Sequence, residues 1–166
     1  MKKVIVIGCS GSGKSTFARK LSLKTGLPLY YLDMIWHKPD KTTLSEEEFD
    51  KRLKNLLLKD RWIIDGNYQR TLEMRLKECD TVFFLNIPTE ICLQGAKSRI
   101  GKKRIDLPWL ETEFDEEFRQ WICGYPEKQL PEIIGLLQKY GKDKQVIIFK
   151  SREEADKYLK TVDCGV

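Results

Sequence analysis

Apolar and polar positions follow two different rhythms along the chain. "KVIVI" (residues 3–7) is a β-branched run without polar interruption, the pattern of a strand buried on both faces. Comparable runs follow at "LPLYYLD" (27–33), "RWIIDG" (61–66), "TVFFLNI" (81–87) and "KQVIIFK" (144–150). Between them the apolar positions recur at helical spacing. Residues 14 to about 25 read as a helix stopped near Gly26 and Pro28. "SEEEFDKRLKNLLLKD" opens on a capping box, Ser45 and Glu48, and sets Phe49, Leu53, Leu56 and Leu57 on one stripe. "QRTLEMRLKEC" predicts a shorter helix. "SREEADKYLKTV" carries a second capping box, Ser151 and Glu154, and a stripe of Ala155, Tyr158, Leu159 and Val162. From residue 89 to about 140 a charged, helix-rich stretch is broken near Gly101, Pro108, Pro126 and Pro131.

Five strands separated by helices predict an α/β fold of three layers, with helices about a mostly parallel five-stranded sheet. The 166 residues suit a single domain, 1–166. Sites in such sheets lie outside the carboxyl ends of the strands. That rule singles out the loop after Ile7, then Asp33, Asp65, Asn86 and Lys150.

The loop after Ile7 reads Gly8-Cys9-Ser10-Gly11-Ser12-Gly13-Lys14-Ser15-Thr16 and fits G-x-x-x-x-G-K-[ST]. Phosphate oxygens bound by several backbone N–H groups at once need a chain free of obstructing side chains. A helix starting at Lys14 adds its positive end. Lys14 brings a full charge to the β- and γ-phosphates, and Ser15 a hydroxyl to Mg²⁺. The expected ligand of Gly8, Ser10, Gly11, Ser12, Gly13, Lys14, Ser15 and Thr16 is therefore a nucleoside triphosphate.

Such a loop works with a carboxylate at the end of a neighbouring strand, which holds Mg²⁺. Asp65 in "WIIDG" stands at such an end; Asp80 opens its strand and falls at the wrong edge. Asp33, at the end of "LPLYYLD", is a candidate base toward an acceptor hydroxyl. His37, the one histidine, lies in the same region, and Trp36 beside it either stacks on a ring or packs. "KSRIGKKRIDLP" (97–108) carries Lys97, Arg99, Lys102, Lys103 and Arg104 and ends on Pro108. This basic segment reads as a mobile lid over about 99–110, whose arginines offset the charge of a transferring phosphoryl group. Arg99, Arg104 and the later Arg119 are the candidates.

Composition narrows the partners. Hydrophobic residues make up 41% and charged residues 33%, the balance of a soluble globular chain. A net charge of +5 suits a small anionic ligand and is weak support for direct nucleic-acid binding. No apolar run nears the roughly 18 residues needed to cross a bilayer, and the first apolar run is short for a secretory signal, so a cytoplasmic location is expected. Cys9, Cys79, Cys92, Cys123 and Cys164 are scattered without a C-x-x-C pair, which predicts reduced thiols rather than disulfides or zinc.

The early P-loop, the D-G pair after the third strand and the basic segment resemble the adenylate kinase and shikimate kinase group of small P-loop kinases. "YYLDMIWHKPD", "RWIIDGNYQRTLEMRLKECDTVFFLNIP" and "FRQWICGY" resemble more closely the bacterial topology modulation proteins of the FlaR type. The resemblance implies strand order 2-3-1-4-5, a small helical lid, ATP and Mg²⁺. It also implies that Arg99 is a lid arginine packing over adenine. Arg70 in "DGNYQR" falls one place later than the arginine that follows the D-G pair in adenylate kinases. That phrase lacks their proline, and the region after Asp33 lacks the arginine that holds an acceptor nucleotide's phosphate. An acid at Asp33 is instead like kinases whose acceptor is a hydroxyl. The expected activity is ATP-dependent phosphorylation of a nucleoside, nucleotide or other hydroxyl metabolite. Asp33, His37, Asp65 and Arg70 would flank the acceptor, and the protein would act as a monomer or homodimer. The alternative is a non-catalytic nucleotide-binding regulator that affects DNA topology indirectly.

Overall fold

The computed structural model describes residues 1–163, so Cys164 lies outside the described residues. Five strands, β1 (Lys3–Gly8), β2 (Leu29–Tyr31), β3 (Trp62–Asp65), β4 (Thr81–Leu85) and β5 (Gln145–Phe149), form one sheet in the order β2-β3-β1-β4-β5. Every pairing is parallel. The fold class and strand order are those expected. β3 and β4 are buried at every position. Uninterrupted apolar runs are stable there only because helices cover both faces.

The helices are α1 (Lys14–Thr25), α2 (Leu32–Trp36), α3 (Glu46–Leu57), α4 (Leu72–Glu78), α5 (Thr89–Lys97), α6 (Glu116–Lys128), α7 (Leu130–Tyr140) and α8 (Arg152–Thr161). Both serine caps form. Ser45 Oγ accepts from the Glu48 amide at 3.2 Å, and Ser151 Oγ accepts from the Glu154 amide at 3.1 Å. The α3 stripe buries Phe49, Leu53, Leu56 and Leu57. Phe17, Phe83, Phe149 and Tyr158 form an aromatic cluster that joins α1, β4, β5 and α8.

Three local expectations need correction. The second strand stops at Tyr31, so Asp33 lies in the first turn of α2 and not at the end of a strand. β2 runs out of partner because Tyr31 already pairs with Asp65, the last residue of β3. Leu32 then turns into the core against Gly66, where a β-carbon would come within 2.8 Å of the Leu32 β-carbon. Pro126 does not break the chain, since it lies inside α6. Buried Ile122 and Tyr125 hold the turn around it, and packing outweighs the helix-breaking tendency. The segment between α5 and α6, expected to form a small helical lid, holds no helix and runs as a loop. Gly101 turns it with a φ of 74°, and ion pairs of Arg104 to Asp106 (2.6 Å) and to Glu111 (2.7 Å) fix its course.

Candidate active site

The P-loop connects β1 to α1 and closes on itself through the Ser12 amide, which donates to the Cys9 carbonyl at 3.1 Å. Lys14 opens α1 and is only 8% exposed, so its ammonium acts at short range in a low dielectric. Ser12 Oγ is buried without a hydrogen-bond partner. Gly11 adopts a φ of 81° and lies directly against Gly95 of α5. A β-carbon on Gly11 would stand 1.9 Å from the Cys92 carbonyl oxygen, and one on Gly95 would stand 2.2 Å from the Gly11 oxygen. Neither position has room for any side chain. Arg152, first residue of α8, clamps the loop by two of its carbonyls: its Nη2 donates to the Gly11 carbonyl at 2.6 Å and its Nε to the Ser12 carbonyl at 3.2 Å. With those carbonyls held outward, the amides of the loop are free to face an anion.

Asp65 is buried, and its Oδ1 has no hydrogen-bond partner. Burial pushes its pKa up to about 6, against the opposing effects of the Lys14 charge and the Ser15 hydroxyl. The Ser15 hydroxyl also lies beside Asp106. Burial pushes the Asp106 carboxyl up, yet hydrogen bonds and charge from Arg104 outweigh that and hold it below the usual carboxylate range. A buried, partnerless carboxylate oxygen next to a P-loop hydroxyl is the donor set a hard cation needs, so Ser15 and Asp65 fit Mg²⁺ held with a nucleotide.

The raised pKa of Asp65 has a definite sign in stability. Its folded pKa of about 6 exceeds the ordinary 3.8, so the native state binds the extra proton. The metal-free protein therefore loses stability as pH rises from about 4 to about 6, and the deficit is full above that. Asp65→Asn is expected to stabilise the metal-free protein by about 3 kcal/mol at pH 8 and by almost nothing at pH 4. Urea unfolding in EDTA at the two pH values measures this, and a gain that is equal at both pH values would overturn it.

The D-G-N-Y loop after β3 is held by a residue that the motif did not single out. Arg75 of α4 is fully buried, with donors on the carbonyls of Gly66 (2.8 Å), Asn67 (2.7 Å) and Tyr68 (3.0 Å). Burial pushes its pKa down to about 10, so it stays charged at neutral pH. Tyr68, with a φ of 20°, donates its hydroxyl to Asp33 Oδ1 at 2.7 Å. Asp33 is thereby anchored to the loop that Arg75 holds. Arg75→Leu takes this donor from the Gly66 and Asn67 carbonyls, while the Tyr68 carbonyl keeps the Thr71 amide and hydroxyl; partly offset by relief of the buried charge, it is expected to destabilise by about 2–4 kcal/mol. A denaturation midpoint unchanged in the variant would refute that role.

Two cavities adjoin here. One, of about 630 Å³, is lined by Ser15, Thr16, Arg19, Lys102 and Arg152 among others; the second, of about 370 Å³, is lined by Ser10, Asp33, His37, Trp109 and Phe118 among others. Lys14, Arg99 and Arg104 line both. Arg104 is engaged by Asp106 and Glu111, whereas Arg99 has no carboxylate partner among the described residues, and its buried Nε makes no hydrogen bond. His37 lies edge-on to Trp109, with ring centroids 4.5 Å apart. Burial pushes the His37 pKa down despite the nearby Asp33 charge, which leaves a neutral ring at physiological pH.

Not every expected residue arrives. Arg70 forms a two-point pair with Asp50 (2.9 and 2.7 Å) and lines neither cavity. Arg119 pairs with Glu116 at 2.7 Å on the exposed side of α6. Trp36 packs edge-on against Phe49, with centroids 5.3 Å apart. Asp80 serves the opposite edge of the sheet, where it accepts from the Lys2 and Lys3 amides. Sequence reasoning missed Gly95, Arg152, Arg75, Tyr68, Asp106 and Trp109. Gly95 did carry a signal, because a glycine inside a helix costs about 1 kcal/mol against alanine and so implies a packing reason.

Solved structures of similar build include small-molecule kinases. The chain is similar to a sugar kinase from Janibacter sp. HTCC2649, at 19% identity and a TM-score of 0.53 over 96% of this chain and 91% of that one. It is similar to the shikimate kinase of Acinetobacter baumannii in complex with shikimate, at 17% identity and a TM-score of 0.61 over 96% and 92%. The shikimate kinase of Bacteroides thetaiotaomicron matches at 16% identity and a TM-score of 0.57 over 95% and 93%. The likeness defines a shikimate-kinase-like P-loop fold. No protein-family model matches the chain, and no curated protein matches it. Among the described residues no helix is long and apolar enough to cross a membrane.

Proposed function

We propose that this chain is an ATP-dependent kinase that transfers the γ-phosphoryl group to a hydroxyl of a small metabolite. One observation carries the reading: a P-loop cavity and a second cavity holding Asp33 meet at a wall made by Lys14, Arg99 and Arg104. A donor and an acceptor seated on the two sides would face each other across that wall. The P-loop amides and Lys14 hold the β- and γ-phosphates. Asp33, oriented by Tyr68, accepts the proton of the acceptor hydroxyl as its oxygen attacks phosphorus and the bond to the bridging oxygen of ADP breaks. Arg99, with no carboxylate to neutralise it, offsets the charge spread over the transferring oxygens. Ser15 and Asp65 would hold Mg²⁺, which would supply positive charge to offset that of the phosphates. The segment over about 99–110 is the lid of a single domain, 1–166, and its Arg104, held by Asp106 and Glu111, already stands on the wall between the two cavities.

Within the small P-loop kinase group, the D-G-N-Y phrase and its flanks favour the topology modulation proteins of the FlaR type. The DNA effect in that name would then be indirect, in keeping with a net charge of only +5 and a cytoplasmic enzyme. The test is transfer of label from γ-labelled ATP across a panel of nucleosides, nucleotides and sugar-like alcohols. A labelled product is expected with at least one. ATP binding with no transfer to any would replace this reading with that of a non-catalytic regulator.

A further inference from the structure

One side chain of the glycine-rich loop has no part in the phosphate chemistry. Cys9 is only 3% exposed and lines neither cavity. Its neighbour is Cys92 of α5, which is fully buried, and the two thiols stand within hydrogen-bonding reach of each other. The backbones are close as well, since a β-carbon on Gly11 would collide with the Cys92 carbonyl. Two thiols that meet from adjacent supports have the placement a disulfide requires. The other described cysteines differ. Cys79 donates to the Leu76 carbonyl at 3.6 Å, and Cys123 accepts from Arg119 at 3.7 Å, neither with a second thiol beside it among the described residues.

The pair is also chemically uneven. The hydrogen bond from Cys9 and the charges of Lys14 and Arg152 outweigh burial and hold the Cys92 thiol below its ordinary pKa. The same hydrogen bond, together with burial, pushes Cys9 up. Cys92 is thus the sulfur that gives up its proton, and Cys9 the one that keeps it. A thiolate with a resolving thiol beside it is suited to oxidation in two steps.

We propose that Cys9 and Cys92 form a redox switch that shuts the phosphate loop, with a peroxide as oxidant. The oxidant enters as the loop opens locally, because the closed loop shields both sulfurs. The Cys92 thiolate attacks one oxygen of hydrogen peroxide and the O–O bond breaks. The departing hydroxide takes back the proton that the thiol had released and leaves as water. Cys92 is then a sulfenic acid. The Cys9 sulfur attacks it, the S–O bond breaks, and the Cys9 proton leaves with the hydroxide as a second water. The two thiols have lost two electrons, and the peroxide has gained them.

The new bond draws Cys9 toward α5. The Cys9 carbonyl accepts the Ser12 amide at 3.1 Å, the contact that closes the loop. The rest of the loop cannot follow, because Arg152 holds the Gly11 and Ser12 carbonyls. Its amides then lose their common aim at a phosphate.

The test treats the full chain with excess hydrogen peroxide, then applies peptide mapping by mass spectrometry and titration with a fluorescent ATP analogue. A Cys9–Cys92 crosslink, lighter than the reduced pair by two hydrogens, is expected. Affinity for the analogue is expected to fall at least about tenfold, the effect of one lost hydrogen bond to a charged group, and to return when dithiothreitol reduces the bond. Cys92→Ser is expected to bind the analogue as the parent does and to keep that affinity after peroxide. Absence of the Cys9–Cys92 crosslink overturns the inference. So does crosslinked protein that binds unchanged, a loss that dithiothreitol does not reverse, or an equal loss in Cys92→Ser. The reversal is read on the parent chain, so it decides the matter even where the serine variant is unstable. Reduced protein that never binds the analogue overturns the kinase reading and the shutting of the loop together, whereas a missing crosslink leaves the kinase reading intact.

Discussion

Lys14→Ala is expected to reduce phosphoryl transfer at least about 10²–10³-fold, the loss seen when one preorganised electrostatic donor leaves an active site. The lysine is 8% exposed at the start of α1, so water cannot replace its charge where the phosphates sit. Its removal has a second effect. Lys14 opposes the burial that raises the Asp65 pKa, so the alanine variant drives that carboxyl further up and deepens its penalty at neutral pH. Lys14→Ala/Asp65→Asn should therefore recover thermal stability without recovering transfer. A coupled assay for ADP release, read beside thermal melts, separates the two effects. Transfer within threefold of the parent protein would remove Lys14 from the mechanism.

Asp33→Asn is expected to lower kcat by about 10²–10⁴-fold, the usual range for a lost general base, with ATP affinity unchanged. Asparagine keeps the shape and can still accept from Tyr68, so the loss reports proton transfer and not collapse of the loop. Tyr68→Phe frees the carboxylate to rotate and should fall between the two, with a smaller loss in kcat. Steady-state kinetics with the acceptor varied at saturating ATP measures both. An asparagine variant whose kcat is unchanged would move the base elsewhere in the cavity, and the neutral ring of His37 is then the group to examine.

What could be read from the sequence was local. A P-loop, two serine caps and five apolar runs are patterns within a dozen residues, and short-range physics is enough to set them. The strand order followed from the family resemblance and matches the sheet. The misjudgements lie where distant parts decide. Asp33 left its strand because β3 ends at Asp65 and Leu32 has a space to fill beside Gly66. Pro126 stays helical because its turn packs on the core. Arg70 and Arg75 are the most instructive pair. Both follow the D-G pair, but Arg75 lies on the same helical stripe as buried Leu72 and Leu76, and that spacing turns it inward. A cation at an apolar position was the legible clue, and the motif drew attention to the wrong arginine. Carboxylate partners such as Asp106 for Arg104 were not legible, since a run of charges does not say which will meet.

The grip of Arg152 on the P-loop also bears on how the protein comes into being. A ribosome makes the loop well before the arginine that sets its carbonyls, which comes 141 residues after Gly11. Gly95, which lets α5 close on the loop, is also made late relative to it. Until both have been made, a nascent chain holds the whole glycine-rich loop with neither the clamp nor the backing helix that gives it shape. The loop therefore takes its final shape only long after its own residues are written, once the distant arginine has followed it.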